Sequence, residues 1–192
     1  MARASDDRER VQPADRAEWR AWLAEHHADS PGVWVVTWRR SSGRPVVGYD
    51  DLVEEALAYG WIDSTARGLD DERTMLHFGP RRPGSGWSRP NKQRIERLLA
   101  EELMAEPGLA VLAAAQADGS WTLLDDVEDL VVPPDLAAAF GRHAGSTERW
   151  DAFPRSAKRA ALVWIVQAKR PETRAKRVEE TARAAAAGER IG

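Results

Sequence analysis

The sequence predicts an α+β protein, with a small antiparallel sheet and helices in the N-terminal half and a helical C-terminal half. Three observations lead there. Short β-branched and aromatic runs such as Val33–Trp38 gather before about residue 80. Beyond Ser88 the apolar pattern is helical throughout, punctuated by Pro, Gly and Asp-Gly. Strands precede helices instead of alternating with them, which points to segregated elements and not to βαβ units.

The elements follow in order. Residues 1–13 offer no apolar face and are expected to be a flexible tail, leaving 14–187 as a single domain. Within it, about 14–80 is the mixed part and about 88–187 the helical part. Asp15 is placed to cap a helix carrying Trp19, Trp22 and Leu23, and Ser30-Pro31-Gly32 breaks it. Val33–Trp38 then reads as a strand, Ser41–Pro45 as a turn and Val46-Val47 as the start of a returning strand. A second helix is expected over 51–59, ended by Gly60. Trp61–Ala66 and Arg73–Phe78 pair across an Asp70-Asp71 turn, and Gly79–Pro90 is a loop rich in Pro and Gly. Helices are then expected at 89–104, 107–117, 133–141, 147–152, 154–169 and 171–187, with Trp164 in the core.

With 192 residues, 43% of them hydrophobic and 31% charged, the chain is long and apolar enough to bury a core. It has no cysteine, which removes disulfides, thiol catalysis and thiolate metal sites. The net charge of −3 gives no global basic field, so nucleic acid is not an expected partner. The charged N-terminus lacks an apolar signal segment and no apolar run is long enough to span a bilayer. A cytoplasmic location without membrane insertion is the expectation. Charge is uneven: residues 98–153 are strongly acidic and 154–192 basic, which suggests either intramolecular pairing or two solvated faces.

No phosphate-binding glycine loop and no Gly-x-Ser-x-Gly elbow occurs, and none of the four histidines has a partner at ligand spacing. No metal and no cofactor is therefore expected. Polar and aromatic residues cluster instead near the junction of the two parts. If Ile62 faces the core, Trp61 and Asp63 share the opposite face, an aromatic wall beside a carboxylate. The alternative is a packed Trp61 and an Asp63 that accepts from turn amides. Arg81 and Arg82, fixed by Pro80, Pro83 and Gly84, suit bidentate recognition of a carboxylate or phosphate. Trp87 adds a second wall, Ser88 can cap the next helix, and Asn91 and Arg94 stand on its first turns. The same cations also suit a salt-bridge hub. Lys169 and Arg170 end one helix, and Pro171 opens the next.

These stretches carry a resemblance. Glu54–Asp63, Leu69–Arg73, Pro80–Pro83 with Ser85–Ser88 and Asn91, and Ala168–Arg174, together with Trp19–Ser30 and Asp118–Trp121, resemble the YdeI/OmpD-associated, or bacteriocin-protection, family over residues 15–187. Ser64 and His77 depart from the family's usual Gly and longer polar residue. The resemblance implies a link to tolerance of antimicrobial peptides and no settled chemistry. Two functions from different classes follow. One is a small-molecule-binding protein or enzyme with an anion pocket between the two parts, lined by Trp61, Arg81, Arg82, Trp87, Ser88, Asn91, Arg94, Lys169 and Arg170. If catalytic, it would use Asp63 as acid/base and Glu55 in reserve. The other is a protein-interaction module whose acidic Asp125, Asp126, Glu128 and Asp129 attract cationic peptides.

Overall fold

Asp15 turns an extended entry segment into the first helix, in the computed structural model that describes residues 8–191. Its side chain accepts from the Glu18 N–H (2.9 Å), while Glu18 accepts from the Ala14 N–H (2.7 Å), so two otherwise orphaned amides are satisfied reciprocally. The elements in order are β1 (Arg10–Val11), α1 (Arg16–His26), β2 (Val33–Trp38), α2 (Tyr49–Ala58), β3 (Trp61–Gly68) and β4 (Arg73–Pro80). They are followed by α3 (Arg89–Ala100), α4 (Glu106–Ala117), α5 (Asp125–Glu128), α6 (Pro134–Phe140), α7 (Ser146–Ala152), α8 (Arg155–Val166) and α9 (Pro171–Ala187). Strands thus lie in the N-terminal half, and helices make up the C-terminal half.

The sheet has the order β1-β2-β4-β3 and is mixed. Its β2–β4 and β4–β3 pairs are antiparallel, but β1 runs parallel to β2, with Arg10 opposite Trp34 and Val11 opposite Val35. That strand falls in the stretch expected to be a tail; residues 1–7 of that stretch lie outside the described residues. The return strand expected at Val46-Val47 does not form. Instead β2 is matched along its whole length by β4, from Val33 opposite Phe78 to Trp38 opposite Arg73. Val47 is buried as a loop residue while Val46 is exposed.

Alternation gives the sheet two faces. Val33, Val35 and Phe78 are fully buried on the inner face, where Trp19 of α1 meets Phe78 with ring centroids 5.4 Å apart. Trp61 lies on this same face, against Trp22. It does share a face with Asp63, as the period of two requires, but that face is the helix-covered one and Ile62 is on the other. The outer face carries Trp34, Val36 and Trp38.

Packing divides the chain into two compact units. The first takes the described residues up to Ser85 and Pro90–Gly119; the second takes Gly86–Arg89 and the residues from Ser120 onward. In the first, α4 approaches the end of α2 so closely that Gly108 lies against the Ala58 carbonyl, which also accepts from the Ala105 N–H (3.0 Å). In the second, Leu136, Ala139, Leu162, Ile165 and Ala182 form a core from α6, α8 and α9. Trp164 is only half-buried there, with the Arg177 guanidinium 5.1 Å from its ring. No described helix is long and apolar enough to cross a membrane.

Candidate functional site

In the first unit, α2 presents a row of carboxylates to basic helices on both sides. Glu55 is 3% exposed; its Oε1 accepts from Arg16 Nε (2.5 Å) and its Oε2 from Arg20 Nη1 (2.6 Å). Arg16 also reaches Asp51 and Glu54 at 3.1 Å, and Arg97 of α3 reaches Glu54 at 2.5 Å. Both carboxylate oxygens of Glu55 are thereby committed to ion pairs that tie α1 to α2.

Asp63 sits differently. It is half-exposed near the start of β3, just before a register shift in the β3–β4 pairing, and its Oδ2 accepts from the Tyr49 hydroxyl (3.0 Å). Burial, then the nearby Asp63 charge, raises the Tyr49 pKa, so the phenol stays a donor. Arg94 of α3 lies over the Tyr49 ring at 5.8 Å, donates to Asn91 Oδ1 (2.9 Å) and pairs with Asp50. Asp63, Asn91 and Arg94 are therefore brought together, with Tyr49 and Asp50 as members that the sequence reading did not include. The helix-start spacing of Tyr49-Asp50 was visible, but which strand residue they would face was not.

Arg81 follows β4 directly. Its backbone N–H donates to the Gly60 carbonyl (3.0 Å) and its Nη2 to Ser85 O (3.3 Å), while Ser85 Oγ donates to Arg82 O (2.6 Å). This loop holds the Arg81 guanidinium half-buried, and burial draws its pKa down to about 10. Arg82 beside it is exposed.

The remaining expected site residues belong to the second unit. Trp87 is 2% exposed, packed on Trp121 with centroids 5.1 Å apart, and Ser88 stands immediately before α3. Lys169 and Arg170 are exposed at the start of α9, where Pro171 takes the first turn. The acidic stretch is largely engaged: Glu128 pairs with Arg159 and Asp129 with Arg89, each at 2.7 Å.

Ser64 and His77 come within reach of one another in the first unit, yet not as a nucleophile and base. Arginine only donates, so Arg8 Nη1 at 2.8 Å makes His77 Nε2 the acceptor. The neutral ring then carries its proton on Nδ1 and donates it to Ser64 Oγ (3.0 Å), which turns its own proton to the His77 carbonyl (3.4 Å). Among the described residues, no group of three or more His, Asp or Glu side chains is gathered as metal ligands would be.

Fold and site define an α+β protein of two compact units, with Glu54, Glu55, Glu128 and Asp135 among the carboxylates held in ion pairs. Residues 11–111 match the family described as Domain of unknown function (DUF8412), and the chain belongs to that family. Residues 129–188 match the family Bacteriocin-protection, YdeI or OmpD-Associated, which bears out the resemblance over that segment. Of the motifs that carried the resemblance, Ala168–Arg174 falls in this second match. Asp118–Trp121 lies between the two matches, and the others lie within the first. No curated protein and no solved structure compared with the chain matches it.

Proposed function

We propose that this protein binds a small anionic molecule at the Arg81–Arg82 loop of its first unit. The observation behind this reading is the Arg81 guanidinium: a charged group kept half-buried, on a loop fixed by Pro80, Pro83 and its own hydrogen bonds, with burial lowering its pKa to about 10. A carboxylate or phosphate received there would offset the lost hydration through paired N–H···O bonds. Arg82, exposed beside it, supplies a second cation. The Tyr49–Asp63 pair is suited to orienting a donor on a ligand and gives no reason to assign turnover.

Thermal unfolding of the full chain with inorganic phosphate, citrate and a sugar phosphate tests this. A ligand at a hundred times its Kd stabilises by about 2.7 kcal/mol. For a chain of this size that raises Tm by roughly 5–10 °C. The shift should be lost in Arg81→Ala and reduced in Arg82→Ala, whose exposed side chain leaves the fold intact. An equal shift in both variants, or none with any anion, would overturn the assignment.

A further inference from the structure

Beside the end of β1, α1 lines an open cleft of about 390 Å³ with Glu18, Ala21, Trp22 and Glu25. These positions stand at i, i+3, i+4 and i+7, so they form one stripe along the helix. Val11 and Pro13 line the cleft as well. Val11 pairs with Val35 and so shares the helix-covered side of the sheet, while Arg10 alternates to the outer side. Pro13 has no N–H with which to extend the strand ladder, and the chain leaves the sheet there for the Asp15 cap. The cleft thus has apolar walls and a stripe that begins and ends in a carboxylate.

Both carboxylates keep acceptor capacity. Glu18 uses Oε2 for the Ala14 N–H (2.7 Å), and its Oε1 accepts from no described residue. Glu25 is exposed and makes no ion pair or side-chain hydrogen bond with a described residue. The arginines of α1 do not answer these charges, because Arg16 and Arg20 are engaged by Glu55. Seven helical steps set the two glutamates about 10 Å apart along the axis. Glu18 is held toward the helix start, away from Glu25, so one metal ion, with its oxygens at about 2.3–2.6 Å, could not serve both. Trp22 is stacked on both faces, by Trp19 (centroids 5.4 Å) and His26 (4.7 Å). The ring therefore meets a ligand by its edge, which suits methylenes better than a cation. The complementary molecule is an aliphatic chain with a positive charge near each end. We propose that this cleft binds a linear polyamine, its end ammoniums on Glu18 and Glu25 and its methylenes against Ala21 and Trp22.

Isothermal titration calorimetry of the full chain with spermidine tests this, with butylamine and magnesium chloride as comparisons. Spermidine should bind at low salt and bind more weakly as salt rises. Glu18→Gln and Glu25→Gln should each weaken it by about two- to fivefold, the measure of one exposed ion pair. Glutamine keeps an oxygen for the Ala14 N–H, so the start of α1 is preserved in the first variant. Ala21→Arg, at an exposed position, places a guanidinium one turn from each glutamate. That internal cation should weaken spermidine at least as much as the Glu18→Gln, Glu25→Gln double variant does. Glu148→Gln, which removes an exposed charge in the second unit, should leave binding unchanged. No binding of spermidine at low salt would overturn the proposal, as would unaltered affinity in the double variant. Butylamine or magnesium binding as tightly as spermidine would also overturn it, because the spacing of the two carboxylates would then not be read.

Discussion

Glu55 shows how one residue can look catalytic and be structural. A buried glutamate on a helix suggests a tuned acid, but here two arginines one turn apart on α1 converge on it and each of its oxygens accepts from a guanidinium. Glu55→Gln keeps the shape and removes the charge. Because both guanidiniums are about a third exposed, the cost should fall below the ~3–5 kcal/mol of a fully buried pair, at about 1–3 kcal/mol. Urea unfolding reads this directly; an unchanged midpoint would mean that the pairs contribute nothing. Trp61 makes a related point. That it shares a face with Asp63 was legible from the period of two, but which face the helices cover was not. The deciding contact, Trp61 Nε1 to the His27 carbonyl (3.2 Å), joins residues far apart in sequence.

Elements were more legible than sites because their signals are local. Asp15, Gly60 and Pro171 mark helix boundaries wherever the chain goes next, and the β3 and β4 runs announce themselves by composition. Strand partnership is not local: Val46-Val47 had the right residues for a return strand, but β4 offered β2 a longer match. Nor did the four-residue helix α5 leave a periodic trace. Close approach of elements was equally hidden, and Gly108 carries it. An alanine Cβ there would lie 2.1 Å from the Ala58 carbonyl oxygen, a backbone atom that cannot step aside. Alanine gains about 1 kcal/mol of helix propensity over glycine. Overpacking of this kind costs about 1–3 kcal/mol or more, so Gly108→Ala should lower stability on balance. A rise in Tm would show that α4 can shift away from α2 at little cost.

Over the whole molecule, the charge asymmetry of the sequence is resolved by folding the second unit's acidic stretch onto its basic end. Glu128 meets Arg159 and Asp135 meets Arg174, each at 2.7 Å, while Glu179 returns the pairing to Arg142 and His143. The sequence displayed the two blocks but could not assign partners, since α5 to α9 set the pairing through their packing. All three carboxyls are held below their ordinary pKa values: Glu128 by its hydrogen bonds from Arg159, and Glu179 by Arg142 and then His143. For Asp135, burial alone would raise the pKa, and Arg174 more than offsets it. The sign of the linkage follows. A carboxyl with a depressed folded pKa contributes stability above its unfolded value, here about 4 to 4.5, and that stability is lost as pH falls through the lower folded value. Unfolding in urea should therefore show the second unit weakening below about pH 4.5, with little change between about pH 6 and 8 from these groups. Arg159→Ala removes the partner that depresses Glu128, so the variant should be less stable at neutral pH and converge on the parent as the solution becomes acidic. Parallel curves for the two proteins across the acid range would show that Glu128 titrates alike in the folded and unfolded chain and that its pairing with Arg159 adds nothing to stability.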